Sequence, residues 1–557
     1  MGLTTGKSVD MGNKTAEERI GEFLRFGSRL GLERMTDLMH RLGDPHDDLD
    51  VIHIAGTNGK GSTSRYIYEA LIEAGYHAGI YTSPYLEKFN ERIEADRRVI
   101  SDEDLDECTD EVLAKVSEMT AEGKESPTEF EVVTAVAFVW FSRIGCDAVV
   151  LEVGLGGRGD STNIIKAPVI TVITSISYDH MDRLGSTITE IAGEKAGIIK
   201  ASCPVVVSTE REEALSVFRE KAASLGAPLY DARQLTTYTI KELRPDGAAF
   251  NLTVDLPSKH PSGTGEFGCK CTQNEQDRMG ACDAADSGQV QIGRPSKTGQ
   301  DRNGACFEDL KISMGGEHQV INAAEAVTAL LVQDRFKVDE DAIRRGIARA
   351  KQPGRFEILY KPGTQTFESV TDPDLARTGN AGTELPVQTC SEQAQAPKMS
   401  CPELEHPWVI IDGAHNQDAA KRLRLAMGDF FPGRSVLFVC GILGDKDVSG
   451  ILDQFVKIGT DFVATEPEND RKLSAYDLAK EIHERGKMVY EIPKPEDAAA
   501  LAMSIAKGYD VVLFTGSLYL IGKIRTLLRE RYLKPGDVCF DRPDADDSLG
   551  FDDEDED

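Results

Sequence analysis

The sequence has little basic charge for its length. Its 557 residues include 63 Lys and Arg against 94 Asp and Glu, which gives a formal net charge of −31. Proteins that bind nucleic acid neutralise phosphates with clustered Lys and Arg, so this balance argues against a nucleic-acid partner. Ten carboxylates against one Arg lie between Asp541 and Asp557. This density predicts a solvated tail, and docking of a partner is the alternative.

Long apolar runs are also missing. No stretch approaches the roughly 20 apolar residues of a membrane-spanning helix, and Met1–Glu18 lacks the apolar core of a secretory signal. The 11 cysteines are scattered and odd in number, which is typical of free thiols in a reducing compartment. We therefore expect a cytoplasmic protein that does not associate with a membrane.

Short β-branched runs alternate with helical patterns along most of the chain. Val51–Ala55, Ala148–Val153 and Val169–Ile176 are continuous apolar runs of strand length, separated by segments with helical spacing. Such runs are typical of strands buried on both faces. The pattern predicts an α/β fold with a mainly parallel sheet, followed by a smaller Rossmann-like α/β unit that begins at Trp408–Ile411.

Two polar stretches interrupt the alternation. Residues 258–308 are rich in Gly, Ser, Asp and Gln, and residues 363–406 in Pro, Gly and Thr. We interpret the first as a flexible insertion, because its cysteine spacing does not match a zinc site, and the second as a long loop. The junction between the two units is expected near Gln352–Arg355. The predicted divisions are residues 1–353, residues 354–533 and the acidic tail at 534–557.

The sharpest motif is the glycine-rich stretch between Ala55 and Ser64. A strand ends there, a glycine-rich loop follows, and a helix begins. The backbone N–H groups of such a loop cradle phosphates, and Lys60 adds a mobile positive charge. The spacing differs from a strict P-loop, because only Thr57 and Asn58 separate Gly56 from the Gly-Lys pair and Gly61 replaces the usual hydroxyl residue.

Polar side chains follow three other predicted strands. Ser83, Glu152 and His180 each come at or just after a strand end, where open α/β sheets bind their ligands. Together they could hold Mg²⁺ against phosphate oxygens. Asp412 and His415 follow a strand of the second unit in the same way. Lys195, by contrast, has only the pattern of a solvated helical lysine.

Seven motifs in this order resemble the folylpolyglutamate synthase and dihydrofolate synthase family of the Mur ligase superfamily. The resemblance extends from about Leu30 to about Leu528, apart from the two polar stretches. The motifs are HIAGTNGKGS (His53–Ser62), YTSPYLEKFNERI (Tyr81–Ile93), LEVGLGGRGDSTN (Leu151–Asn163), SYDHMDRLG (Ser177–Gly185), GEKAGI (Gly193–Ile198), PGRFE (Pro353–Glu357) and IDGAHN (Ile411–Asn416).

The resemblance implies roles for individual residues. The nucleotide-binding residues would be Thr57, Asn58, Gly59, Lys60, Gly61, Ser62, Asn322 on the adenine side, Arg355 and Asp412. The magnesium ligands would be Ser83, Glu152, His180 and Lys195. Lys195 matches a lysine that the family carbamylates, and a carbamate would give an anionic oxygen ligand for a second Mg²⁺. The catalytic group would be Lys60, Lys195, His180 and His415, and a monovalent cation is a further candidate cofactor.

The resemblance also implies a pteroate site on three segments. They contain Gly27, Ser28, Arg29 and Leu30, then Thr128, Glu129, Phe130 and Glu131, then Gly159, Asp160 and Ser161. The family often has Leu-Asp-Ala in place of Gly159–Ser161 and commonly an aromatic residue in place of Glu129. The choice between dihydropteroate and folate therefore stays open.

The implied reaction is ATP-dependent addition of L-glutamate to a folate or dihydropteroate carboxylate through an acyl phosphate, by a monomeric enzyme. Two alternatives remain at this point. One is a Mur-type ligase that adds an amino acid to a cell-wall precursor, which the segment Thr82–Ile93 disfavours. The other is a non-catalytic ATP-binding regulatory module, which the presence of Lys60, Glu152, His180 and Lys195 disfavours.

Overall fold

A computed structural model describes residues 14–27, 29–257, 303–362 and 407–532. The predicted acidic tail, the predicted loop at 363–406 and residues 258–302 of the predicted insertion lie outside these ranges, as does Ser28. Within the described ranges no helix has the length and apolar character needed to cross a bilayer.

An eight-stranded sheet forms the first half of the protein, in the order β4-β3-β2-β5-β1-β6-β7-β8. Its strands are β1 (Val51–Ala55), β2 (Ala78–Tyr81), β3 (Ile93–Ala95), β4 (Arg98–Val99), β5 (Ala148–Glu152), β6 (Ile170–Ile173), β7 (Val205–Val207) and β8 (Leu229–Asp231). Only β3 and β4, at one edge, run antiparallel to their neighbours. The prediction of a mainly parallel sheet is confirmed.

Helices cover both faces of this sheet. They are α1 (Ala16–Gly21), α2 (Glu33–Arg41), α3 (Lys60–Glu73), α4 (Asp102–Ala121), α5 (Glu129–Arg143), α6 (Met181–Leu184), α7 (Ile188–Lys195), α8 (Glu212–Ser224) and α9 (Ala232–Leu235). Side chains of β1 alternate between two cores. Ile52 and Ile54 pack with residues of α3, whereas Val51 packs with residues of α4 and α5. Burial on both faces explains the continuous apolar runs.

A small antiparallel sheet follows, in the order β11-β10-β9. It contains β9 (Thr236–Arg244), β10 (Gly247–Leu256) and β11 (Asn303–Ile312). The polar composition assigned residues 303–308 to the insertion, and this was wrong, because they form the first part of β11. Leu256 and Asn303 are register partners, so the chain leaves and re-enters the sheet at adjacent positions. Then α10 (Glu317–Val332) and α11 (Glu340–Arg349) pack against α3.

A six-stranded sheet forms the second half, in the order β12-β13-β17-β14-β15-β16. Its strands are β12 (Glu357–Tyr360), β13 (Trp408–Asp412), β14 (Val436–Cys440), β15 (Asp461–Ala464), β16 (Met488–Glu491) and β17 (Val511–Thr515). The helices between and after them are α12 (Gln417–Phe430), α13 (Val448–Phe455), α14 (Ala475–Glu484), α15 (Pro495–Ile505) and α16 (Leu518–Arg531). All neighbours are parallel except the edge strand β12. The Rossmann-like unit is confirmed.

Candidate active site

One cleft between the two large sheets contains most of the predicted nucleotide and metal residues. It is lined by residues that follow β1, β5 and β6 of the first sheet and β13 and β17 of the second. Of the predicted residues it takes in Thr57, Asn58, Gly59, Lys60, Gly61, Ser62, Ser83, Glu152, His180, Lys195, Asn322, Arg355, Asp412 and His415. The carboxyl ends of parallel strands thus place Ser83, Glu152, His180, Asp412 and His415 together, as the strand-end argument predicted. Lys195, Asn322 and Arg355 reach the cleft from two helices and the linker.

The glycine-rich loop needs its glycines for steric reasons. A Cβ on Gly56 would lie 1.8 Å from Thr174 Oγ1, and one on Gly59 would lie 2.7 Å from Asn322 Oδ1. Both glycines also have positive φ, +151° and +94°. The Thr174 hydroxyl donates to the Asn58 carbonyl at 2.8 Å, which fixes the loop against the strand beside it.

Lys60 begins α3 and folds back over the loop. Its Nζ donates to the carbonyls of Gly56 at 3.2 Å and Thr57 at 3.3 Å, and lies 3.9 Å from Glu152 Oε1. The ammonium group therefore stands between the loop and the carboxylate at the end of β5. A phosphate chain bound in the loop would meet a fixed positive charge there.

Glu152 is a buried acid, with 4% of its surface exposed. Burial raises its pKa to about 7, although Lys60, Arg355 and the backbone N–H of Ser83 oppose that shift. A nearby cation would stabilise the ionised form of this buried carboxylate. Ser83 and His180 line the same cleft. Among the described residues no three His, Cys, Asp or Glu side chains form a ready metal cluster. The donors fit Mg²⁺, which commonly completes its shell with phosphate and water oxygens.

Asp179 lies between the two halves of the protein. It accepts hydrogen bonds from Lys446 Nζ at 2.6 Å and Asn416 Nδ2 at 3.0 Å. Burial opposes its ionisation, but His180 and His415, which are protonated in the acid range where Asp179 titrates, and the charge of Lys446 outweigh burial and hold its pKa below the usual range. The carboxylate is therefore ionised and ties β6 to the second sheet.

Lys195 is not the solvated lysine that its helical pattern predicted. It ends α7, only 4% of its surface is exposed, and its Nζ donates to the Gly56 carbonyl at 2.8 Å. Burial, helped by the nearby charge of Lys60, lowers its pKa to about 7. A lysine with such a pKa is partly neutral at physiological pH, and only a neutral amine reacts as a nucleophile.

Asn322 and Asp412 are both held in place by local hydrogen bonds. Asn322 is buried on α10, where its Nδ2 donates to Gln319 Oε1 at 3.1 Å. Asp412 accepts the N–H groups of Phe356 at 2.8 Å and Ala414 at 2.9 Å. Burial raises the pKa of Asp412.

His415 lies beside Asp179 at the same end of the second sheet. Its Nδ1 lies 2.7 Å from the Gly413 carbonyl oxygen and its Nε2 lies 3.7 Å from Asp179 Oδ2. Burial lowers its pKa to about 4, so the imidazole is neutral at neutral pH.

Several residues in or beside this cleft were not predicted from the sequence. His318 and Arg422 line the cleft from α10 and α12, and no local sequence signal distinguishes them from other helix residues. Lys446 follows β14 and reaches Asp179, and the strand-end rule that located Glu152 could have located it. Asn416 and Asp418 contact Asn58, at 3.1 Å and 3.0 Å, and the motif Ile411–Asn416 could have pointed to Asn416.

The residues of the predicted pteroate site that the structure describes do not line this cleft. Its first and third segments do meet, since a Cβ on Gly159 would lie 3.0 Å from Leu30 Cβ, and the next residue, Gly31, donates its N–H to the Gly159 carbonyl at 3.0 Å. Thr128 and Glu131 cap α5 reciprocally, and Glu131 also pairs with Arg34 at 3.0 Å. These two buried side chains thus have structural partners already.

Three further members of the predicted pteroate site have close neighbours of their own. Asp160 accepts hydrogen bonds from Leu155 N at 2.8 Å and Thr162 Oγ1 at 2.6 Å. Glu129 lies 3.3 Å from Arg92. A Cβ on Gly154 would lie 2.4 Å from the ring of Phe130, so Phe130 packs directly against the loop that follows Glu152.

Comparisons with known proteins agree with this geometry. Residues 54–244 match the Mur ligase middle domain, and residues 400–518 match the Mur ligase glutamate ligase domain. The dihydrofolate synthase/folylpolyglutamate synthase of Bacillus subtilis is 32% identical over 91% of this chain and 96% of its own length.

Two solved structures extend the comparison. A folylpolyglutamate synthase of Mycobacterium tuberculosis, complexed with ADP and AMPPCP, is 26% identical with a TM-score of 0.69, covering 92% of this chain and 98% of its own. Escherichia coli FolC, in complex with DHPP and ADP, is 26% identical with a TM-score of 0.67, covering 93% and 98%. This chain belongs to the folylpolyglutamate synthase/dihydrofolate synthase family of Mur ligases.

Proposed function

We propose that this chain is an ATP-dependent ligase that adds L-glutamate to the carboxylate of a folate or dihydropteroate substrate. The observation that carries the proposal is the single cleft in which the glycine-rich loop, Lys60 and Glu152 face Asp412 and His415 of the second sheet. Relatives with ADP bound, and one with both ADP and DHPP bound, have the same fold.

The reaction proceeds in two displacements. A carboxylate oxygen of the pterin substrate attacks the γ-phosphorus of ATP, ADP leaves, and an acyl phosphate forms. The amine of L-glutamate then attacks the acyl carbon, the amide bond forms, and phosphate leaves as the amine loses its proton. Such chemistry depends mainly on positioning and on neutralising charge.

The first sheet supplies the phosphate site. Backbone N–H groups from Asn58 to Ser62 bind phosphate oxygens, and Lys60 balances their charge. Thr57 takes part through its side of the loop, since its own N–H donates to the Ser175 carbonyl at 2.8 Å. ATP works with a divalent metal ion, which polarises the phosphoryl group when bound. Ser83, Glu152 and His180 would hold one Mg²⁺, and carbamylated Lys195 a second. The pKa of about 7 at Lys195 supports that assignment, because carbamate formation needs a neutral amine. A monovalent cation is a further proposal.

The second sheet closes the site. Asn322 orients the base, while Arg355 and Asp412 hold the nucleotide from the linker and from β13. His415, neutral and next to Asp179, can accept a proton near the phosphates. Closure of the cleft over the substrates excludes water, which protects the acyl phosphate from hydrolysis.

The finer assignments belong to the same proposal. The pteroate segments at 27–30, 128–131 and 159–161 bind the pterin substrate, and the close approach of Leu30 to Gly159 supports this for the first and third of them. The catalytic unit has domains at 1–353 and 354–533, with the tail at 534–557 outside it. The separate sheets on either side of Gln352–Arg355 support that division. The enzyme acts as a cytoplasmic monomer without a nucleic-acid or membrane partner.

An ADP-release assay tests the proposal. Dihydropteroate, tetrahydrofolate and a cell-wall precursor are each supplied with L-glutamate and ATP. We expect glutamate-dependent ADP release with one or both pterins, and none with the precursor. The folded variant Lys60→Ala should lose it by at least about 100-fold, because an electrostatic donor to the transition state is removed. Release with the precursor alone, or normal turnover by Lys60→Ala, would contradict the assignment.

A further inference from the structure

Arg525 is a buried arginine that joins three separate parts of the chain. It lies on α16, and 7% of its surface is exposed. Its Nε donates to both oxygens of Glu357, at 2.9 Å and 3.1 Å, and its Nη2 lies 2.8 Å from Glu357 Oε1. Its Nη1 donates to Glu87. One guanidinium therefore links the second domain to the linker and to a loop of the first domain.

Glu87 belongs to the loop that leaves β2 and includes Ser83 and Pro84, both of which line the nucleotide cleft. Its second oxygen accepts the Thr526 hydroxyl at 2.6 Å, so α16 holds this carboxylate at two points. Within the loop, Glu91 accepts the backbone N–H groups of Leu86 at 2.9 Å and Glu87 at 3.2 Å. The loop is thus rigid between Glu87 and Glu91.

Glu357 belongs to the linker between the domains. Its Oε2 accepts the Gly354 N–H at 2.8 Å, and the Gly354 carbonyl accepts the Gly413 N–H at 2.8 Å. Arg355, which lines the cleft, directly follows Gly354. The backbone just before Arg355 is therefore held by a carboxylate that Arg525 binds, whereas the Phe356 N–H just after it is held by Asp412.

Close packing surrounds this network. A Cβ on Gly522 of α16 would lie 1.8 Å from the Leu86 carbonyl oxygen, so the helix touches the Ser83 loop directly. A Cβ on Gly354 would lie 2.9 Å from Ile521 Cδ1. Little room is left for the loop, the linker and the helix to shift independently.

We propose that Arg525 is a positioning residue that sets the distance between the Ser83 loop and the Arg355 linker across the nucleotide cleft. Arg525 is not among the described residues that line the cleft. It acts through Glu87 and Glu357, and its planar fork fixes two carboxylates in directions that a lysine could not. Because desolvation offsets much of the attraction between buried charges, such an ion pair adds little net stability, and its main effect here is to hold the loop and the linker in fixed positions. The inference rests on the proposed function, because it assigns the cleft to ATP and a divalent cation.

The test is Glu87→Gln, with Glu496→Gln as the matched control. Glu87→Gln keeps the size of the side chain and an acceptor for Thr526, but loses the charge that faces Arg525. Glu496, on α15, pairs with Lys523, which lies on α16 like Arg525. Both residues of this control pair lie in the second domain. For Glu87→Gln we expect the KM for ATP and the half-saturating Mg²⁺ concentration to rise about tenfold, with kcat changed less than about threefold. Arg525→Lys should shift both quantities in the same direction.

Two results would overturn the positioning role of Arg525. A lower melting temperature for Glu87→Gln with unchanged KM and Mg²⁺ dependence would show a merely structural pair and overturn the inference. The same shift in Glu496→Gln would also overturn it. Calorimetric titration of Mg²⁺-ADP into each variant gives a readout without turnover, and there too the Kd should rise about tenfold only for Glu87→Gln. Absence of ADP release in the wild type would instead contradict the proposed function.

Discussion

Gly59→Ala tests whether the phosphate loop and α10 are fitted to each other. The new methyl group would lie 2.7 Å from Asn322 Oδ1, well inside normal contact, and the backbone at residue 59 has a φ of +94°. Asn322 cannot easily give way, because it is buried and its amide donates to Gln319 at 3.1 Å. The substitution therefore combines backbone strain with a clash against a residue assigned to the nucleotide.

Gly75→Ala separates the two costs. Gly75 has a similar φ of +88°, but nothing lies within 4 Å of its Cβ position. In Gly75→Ala the free energy of unfolding should fall only by the cost of a left-handed backbone, about 1–2 kcal/mol. In Gly59→Ala it should fall by that amount and by about 1–2 kcal/mol more, because overpacking displaces Asn322. If the displaced amide no longer reaches the base, ATP affinity falls by about tenfold for each 1.4 kcal/mol.

Urea unfolding and titration with Mg²⁺-ADP measure the two effects. We expect both glycine variants to unfold at lower urea, Gly59→Ala more so, and only Gly59→Ala to bind the nucleotide weakly. Adding Asn322→Ala to Gly59→Ala should recover part of the stability, because the clash is removed. Equal stability of the two glycine variants together with wild-type nucleotide affinity would refute the reasoning.

Two further predictions concern buried nitrogen groups. Lys195→Ala should be inactive and partly rescued by acetate, which can replace the carbamate oxygens; a fully active variant without added carboxylate would exclude that role. His53 is fully buried, and burial lowers its pKa to about 3. Below about pH 6.5 the His53 imidazole is protonated in the unfolded chain but stays neutral in the folded protein. Stability is therefore lost as pH falls from 6.5 towards 3. Urea unfolding between pH 7 and 5 measures this loss. As the pH falls, the free energy of unfolding should decline less steeply in His53→Gln than in the wild type, by up to about 1.4 kcal/mol per pH unit, and identical slopes would contradict the prediction.

The large sheets could be predicted from the sequence because their strands are buried on both faces. Val51–Ala55 is apolar apart from His53, and all five of its residues are buried. The small sheet was missed for two reasons. Residues of β9 alternate between partly buried and exposed, which gives a weaker signal. In β11, polar residues such as Asn303 and Glu308 resemble the preceding insertion in composition.

The candidate site was predictable where strand ends define it and not elsewhere. Glu152 follows directly from the end of β5. Lys195 has no such signal, because its burial arises from the loop at Gly56, which is distant in sequence, and only the family resemblance gave it a role. Arg525 is a charged residue of α16, and a charged helix residue is normally expected to be exposed. Its two acidic partners come from other parts of the chain.

The pairing of Leu256 with Asn303 has a consequence for the segment between them. A segment that leaves and re-enters an antiparallel hairpin at facing residues can lengthen or shorten without moving the strands that bound it. Each doubling of such a loop costs only about 0.6 kcal/mol of closure entropy, and two residues suffice to connect a hairpin. The register of β10 and β11 therefore sets no tight limit on the number of residues between Leu256 and Asn303.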